Sequence, residues 1–272
     1  MTSINTNNGA LAALASLRSI DSRLLANSKQ LQTGFRVSDS LDDSAVFAIA
    51  QGARTDIKAH ASVQASLHQG LGLLDVTLAA LNKVSDLLGN LRGTLIKASD
   101  GSLSTTQLST YRSDAVALHE QILDATVAAT YNGRNQTLVT STSVDFVADV
   151  RGATITVGVF GLNPEYDDLG TAIAAITDAT TATAAYNAIA PLEATTNATI
   201  ADFAATRNQF GNQIGFNENL IEAVKKGLGA LVDADIADVA AVQQSLLVQR
   251  NLAVNILSVA SNNNRLLVDL FR

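Results

Sequence analysis

By residue type, the side chains best suited to chemistry are three histidines, His60, His68 and His119, and 25 carboxylates in a chain of 272 residues. His119 and Glu120 open the string HEQIL, the first half of a zinc-hydrolase helix. In such a helix a second histidine four residues on completes the ligand pair, and the glutamate activates water. Position 123 is Leu, so the pair is not made, and the histidines read as solvated or packed helical residues. GLGLLD (70–75) and GLGALVD (227–233) hint at phosphate-cradling loops, but neither continues as G-x-G-x-x-G. Asp39, Asp42 and Asp43 lack calcium-loop spacing and suit the start of a helix instead. There is no cysteine, hence no disulfide and no thiolate chemistry. The expectation is a chain that is not an enzyme and carries neither cofactor nor metal.

Composition narrows the partners. The formal net charge is −7 and no Lys/Arg cluster exists, which argues against nucleic acid and anionic membranes, both of which attract cationic surfaces. No apolar run reaches the ~20 residues that cross a bilayer, so membrane insertion is not expected. The opening MTSINTNNGALAALASL lacks a basic n-region, and secretion would need a route other than a cleaved leader. Hydrophobic residues make up 47% of the chain and aromatics only 4%, so long thin helices are favoured over a thick core built on rings.

The periodicity agrees. Ala10, Ala13, Leu17, Ile20, Leu24, Asn27 and Leu31 follow a 3-4 spacing, the seam of a coiled coil. Gly34 stops that helix, and a second begins near Leu41. It carries a stripe from Leu67 to Leu95, interrupted by Gly70, Gly72, Gly89 and Gly93, which imply close neighbours or local looseness. A turn at SDGSLS (99–104) leads to a shorter helix, and TYNGRN (130–135) supplies an Asn-Gly reversal. Residues 137–160, rich in Val, Thr and Ile, read as two or three strands with a reversal at Arg151-Gly152. Residues 169–200 read as poorly patterned helix split near Pro191, and Arg151 is the only basic residue between 136 and 200. Long helices return from Ile200, with Arg207 and Asn217 filling two seam positions and a break over 227–235. The last seam is Val239, Val242, Leu246, Gln249, Ala253, Ile256, Ala260, Asn263, Leu267 and Leu270.

The fold class expected is mainly α, with long coiled-coil-like helices from both chain ends packed together and a small β-hairpin segment in the middle. Residues 1–35 and 235–272 supply the terminal helices, 41–135 and 200–231 an inner helical bundle, and 136–199 an outward-facing middle segment with no large outer domain. One partner helix cannot cover the last helix, because Leu247, Val254, Leu257, Leu266 and Val268 flank its seam. Further copies of the same pair can, so the ends are expected to be disordered alone and completed by neighbouring chains.

Several stretches resemble bacterial flagellins. SINTNNGALAAL (3–14) and LQTGFRVSDSLDDSAVFAIA (31–50) are similar to the family's I-N-T-N, L-S-S-G-x-R-I and D-D-A-A-G signatures. HEQILDATVAATYNGRNQTLV (119–139), RNQFGNQIGFNENLIEAV (207–224) and the stretch from DADIAD (233–238) to the end match later family segments in order. Departures are Val46-Phe47 for Ala-Gly, Gly211-Asn212 for Gly-Ala, and a basic last residue. The resemblance implies a structural subunit that self-assembles into the extracellular filament of a bacterial flagellum for motility. It also implies export by the flagellar machinery with an export chaperone, and contact with filament cap and hook-junction proteins. A hook–filament junction protein and a secreted amphipathic translocator are the competing readings.

Candidate filament-core contacts are Leu17, Ile20, Leu24, Leu31, Val239, Val242, Leu246, Ile256, Leu267 and Leu270. Asn27, Gln249 and Asn263 put amides where apolar residues belong and are candidates for setting register. Arg92, in LRGTLIKASDG (91–101), aligns with a family segment that an innate-immune receptor reads in some bacteria. Gly93 and Lys97 depart from the recognised pattern there, so Arg92 is a candidate receptor or subunit contact with little recognition expected.

Overall fold

A computed structural model describes residues 6–161 and 164–269, and the side chains of 6–161 and 166–262. Leu267, Leu270 and Asn263 therefore lie outside the described side chains. Six helices follow one another among the described residues: α1 (Asn8–Thr33), α2 (Ser44–Ala98), α3 (Thr105–Ala128), α4 (Pro164–Ala174), α5 (Ala179–Val232) and α6 (Ile236–Asp269). One antiparallel ribbon, β1 (Val144–Val147) with β2 (Thr154–Val157), lies between α3 and α4.

Short polar side chains set the helix starts by accepting otherwise unpaired N–H groups. Asn7 accepts from Ala10 N, Asp43 from Ala45 and Val46 N, Asp178 from Thr180 and Thr181 N, and Asp235 from Ala237 N. Ser104 and Gln107 form a reciprocal capping box on α3. α1 ends at Gly34, whose φ of +73° is left-handed, the conformation that glycine adopts most readily.

The chain divides into two compact units. One comprises 58–221 and the other 1–57 with 222–272, and α2 and α5 contribute residues to both. In the larger unit Val63, Leu67, Gly70, Leu74, Thr77, Leu81, Val84, Leu88, Leu91, Leu95 and Ala98 form a buried row on α2 with 4-3 spacing, and Leu73 and Leu87 are buried beside it. They pack with Ala185, Ile189, Leu192, Phe203, Phe210 and Ile214 of α5, and with Leu108, Ala115 and Ile122 of α3. The ribbon is fastened to α5 by an edge-to-face contact of Phe146 with Phe210, and by Gln213 donating to the Ala148 carbonyl at 2.8 Å.

Several expectations change. Of the two or three strands expected in 137–160 two form, and Thr137 donating to the Thr126 carbonyl and Ser141 to the Asn135 carbonyl curl 135–141 back onto the end of α3. Pro191 does not split a helix; the interruption falls at 175–178 instead. Proline frees the carbonyl four residues earlier. Both Pro191 and Asn187 lie on the exposed side of α5, where water can take that carbonyl, while Ile189 and Leu192 anchor the buried side. α5 therefore has no boundary at 199–200, and its Ala/Thr-rich first half is well patterned, with Ala182, Ala185 and Thr196 at seam spacing. The break expected over 227–235 shrinks to 233–235, because Gly227 and Gly229 stay helical. The second helix starts at Ser44, not Leu41, since Asp43 caps it.

The glycines of α2 separate into two kinds. A Cβ on Gly70 would overlap the ring of Phe210, and one on Gly72 would come within 2.7 Å of the Tyr131 ring; Gly89 and Gly93 face open space. Gly70→Ala should therefore destabilise the chain by about 1–3 kcal/mol through overpacking. Gly89→Ala should stabilise it by up to ~1 kcal/mol. Urea unfolding of both variants checks the opposite signs.

Candidate functional site: the paired helices α1 and α6

Two of the three histidines have structural partners, and His68 is exposed on α2. His119 Nε2 lies 3.0 Å from the Tyr166 carbonyl, and His60 Nδ1 lies 2.6 Å from Asn217 Oδ1. Asn217 in turn donates to the His60 carbonyl, which satisfies an amide only 2% exposed. Asp43 caps α2, while Asp39 and Asp42 clamp Lys29. Among the described residues no group of three His, Cys, Asp or Glu side chains could hold a metal ion. Gln136, Ser141 and their neighbours line a polar hollow of about 180 Å³. Nothing reactive converges on it.

The feature with the most unused surface is the antiparallel pair α1/α6. Its register is fixed at four points along its length. Asn7 Nδ2 donates to the Ala260 carbonyl (2.7 Å), and Arg250 pairs with Asp21 (2.7 Å). Asn27 Nδ2 donates to the Val239 carbonyl and to Gln243 Oε1, each at 2.9 Å. Phe35 bridges Asp233 where the connecting loops meet, with Arg36 N donating to the Val232 carbonyl. Ile20, Leu246 and Ala253 form the dry centre, with Leu17 and Leu24 against it.

The seam of α1 runs through the positions expected, although Leu31 remains more than a third exposed. That of α6 does not. Its α1-facing line is Val239, Gln243, Leu246, Arg250, Ala253, Leu257 and Ala260, so Val242, Gln249 and Ile256 stand one position to the side and are exposed. A 3-4 spacing can step from 239 to 246 through either 242 or 243, and the apolar Val242 draws the eye. The amide of Gln243 holds the seam because Asn27 and Ser28 bond to it. Gln249 bonds Ser245 on its own helix instead of reaching α1. The signal for Gln243 was available in principle: the buried amide of Asn27 requires a polar partner across the seam.

The displaced column is part of a wide apolar surface. Ile236, Val242, Leu247, Val248, Leu252, Val254, Ile256 and Val259 are all large and exposed on α6, as are Leu11, Leu25 and Leu31 on α1. These residues surround the α6 helix, so a single partner helix leaves most of them wet. Between Ala13, Ile20, Leu252 and Ile256 lies an apolar hollow of about 270 Å³. Charge is divided in the same way. The unit holding the pair has ten basic and ten acidic residues, whereas the other has eight and fifteen and so carries the whole excess of −7.

Arg92 sits elsewhere, on α2. Its guanidinium pairs with Glu193 at 3.0 Å and lies over the Tyr186 ring, which makes it a strut between α2 and α5.

With this geometry in view, likeness to known proteins is informative. Residues 4–136 match the bacterial flagellin N-terminal helical region. The whole chain is 32% identical to flagellin FljM of Caulobacter vibrioides, covering 99% of that protein. It is 29% identical to a flagellin of Brucella melitensis, covering all of it. A solved chain from Vibrio parahaemolyticus, described as a flagellar hook-associated protein, shares the fold over 71% of this chain and its own full length, with a TM-score of 0.62 at 14% identity. The chain belongs to the bacterial flagellin family, whose members are structural proteins of the flagellar filament.

The loop joining α1 to α2 makes a separate prediction. Hydrogen bonds from Lys29, and then from backbone amides, hold the carboxyls of Asp39 and Asp42 below the ordinary 3.8. A carboxyl depressed in the folded state stabilises the loop above its unfolded value and loses that contribution as pH falls through the folded value. The amide resonances of Ser38 and Asp39 should stay fixed from pH 7 to 5 and move only below 3.8. Lys29→Met should raise the midpoint.

Proposed function

We propose that this chain builds a filament by burying the uncovered faces of α1 and α6 against the same helices of other copies. The observation that carries the reading is the band of large apolar side chains all around α6, on a helix whose register with α1 is already set by polar bonds. Clustered exposed apolar residues of this kind mark surfaces that meet other molecules. Repetition of one contact between non-identical patches yields an open helical polymer when its rotation does not close a ring. The family's structural role in the extracellular flagellar filament agrees, and full-length relatives named as flagellins favour a filament subunit over a hook–filament junction protein.

In this reading 1–35 and 235–272 form the filament core, 41–135 and 200–231 surround it, and 136–199 faces outward. The −7 carried by the larger unit keeps the filament exterior acidic and soluble. Leu17, Ile20, Leu24, Val239 and Leu246 close the pair within one copy, while Leu31, Val242 and Ile256 meet neighbours. Leu267 and Leu270 are proposed to continue the contact. Asn27 sets the register of the pair through Gln243. Gln249 and Asn263 are left to act between copies, where a misaligned neighbour would strand their amides. Flagellar export, an export chaperone and the filament cap and hook-junction proteins complete the reading as partners from the family.

The test is Ile256→Asp. Ile256 is 60% exposed, so the monomer should fold as before and the larger unit should melt unchanged. Carrying an unpaired carboxylate into an apolar contact costs several kcal/mol. Seeded with filament fragments, the variant should raise the critical concentration at least ~100-fold or form no filaments by negative-stain microscopy. Val139→Asp, on an exposed residue of the larger unit, should polymerise like the parent. Normal filaments from Ile256→Asp contradict the reading.

A further inference from the structure

Of the large apolar side chains described, Leu41 is the most exposed, at 93%. It sits in the loop between α1 and α2, and that loop is not slack. Asp39 Oδ1 accepts from the backbone N–H of Leu41 at 2.8 Å and of Asp42 at 3.2 Å. Asp42 Oδ2 accepts from Ser38 N and Ser38 Oγ, both at 2.9 Å, and from Asp39 N at 3.2 Å. Lys29 Nζ ties both carboxylates to α1, at 2.6 Å from Asp39 and 2.7 Å from Asp42. Seven polar bonds thus hold a short loop in one shape, and the residue at its tip is an isobutyl group standing in water.

Ordering a loop costs conformational entropy, and an exposed leucine returns nothing for it within the monomer. A preorganised apolar knob lowers the cost of binding, because the ordering has been met before the partner arrives. We infer that Leu41 is a knob that inserts into an apolar site on a second copy of this chain, as a contact separate from the α1/α6 faces. This rests on the filament reading above and adds a named residue to it. The partner is argued from the unit in which Leu41 lies. That unit has balanced charge, so copies approach without net repulsion, and it also contains Leu31, Phe35, Ile49 and Ile236 as exposed apolar residues. A knob and a socket on different parts of the surface make a heterologous contact, the kind that propagates a filament instead of closing a dimer.

The absence of cysteine from the chain gives a direct test. In Leu41→Cys the single thiol should react at once with an aromatic disulfide reagent in the monomer. In seeded filaments it should react more than tenfold slower. Equal rates in monomer and filament overturn the inference. Leu41→Ser should raise the critical concentration for seeded growth about tenfold or more, as expected for losing one buried leucine. Leu41→Met should stay within about threefold of the parent, and both variants should melt like the parent. Filaments from the parent with an unchanged critical concentration for Leu41→Ser overturn the knob alone. Failure of the parent to form filaments overturns the filament reading together with it.

Discussion

A helix can hide only the side of itself that faces a neighbour. In this chain α6 carries large apolar residues on nearly every side, and α1 covers one line of them. The rest of the architecture follows from that mismatch between apolar surface and available cover. The larger unit is better covered: α2, α3 and α5 enclose a continuous core, lined on α2 by a row with 4-3 spacing from Val63 to Ala98 and by Leu73 and Leu87 beside it. Stability is concentrated where the chain is self-sufficient, and stickiness where it is not.

Stickiness without specificity would give aggregates. In the proposed filament the pair avoids this by setting its register with polar bonds, which are directional, and leaving apolar contact for the outside, which is tolerant. Asn27 with Gln243, Arg250 with Asp21 and Asn7 with the Ala260 carbonyl fall along the length of the pair. Sliding α6 along α1 would break all of them together, and the buried amide of Asn27 would be left unsatisfied. Charge assists in the same sense. The acidic excess lies in the other unit, so the surfaces proposed to meet are the ones that do not repel.

Much of this was legible in the residues. The α1 seam, the Gly34 stop, Asp43 at the start of α2 and the Asn132-Gly133 reversal rest on local rules, and the structure keeps them, whereas Asp39 and Asp42 bind Lys29 and the loop instead; both turn residues have positive φ. What was illegible came from choices that local rules leave open. Val242 and Gln243 satisfy the same spacing, and only the amide across the seam decides between them. Ala182, Ala185 and Thr196 are too small or too polar to announce a core, yet Thr196 is buried by bonding the Leu192 carbonyl and the Tyr166 hydroxyl. Pro191 looked like a break because proline costs most where the freed carbonyl is buried, and here it faces water. Gly70 could be suspected of a close approach, but its partner Phe210 lies 140 positions away in the chain.

The central claim is that the α1/α6 surface is incomplete in one copy and completed by others. Backbone hydrogen exchange, compared between monomer and seeded filament, tests it most directly. Opening of a helix that gains neighbours on several sides becomes rarer, so amides of 8–33 and 236–260 should slow by about two orders of magnitude or more in the filament. Amides of α2 and α3 in the core of the larger unit, enclosed already, should change little. Equal protection of α1 and α6 in both states, or protection gained only in 58–221, would contradict the account.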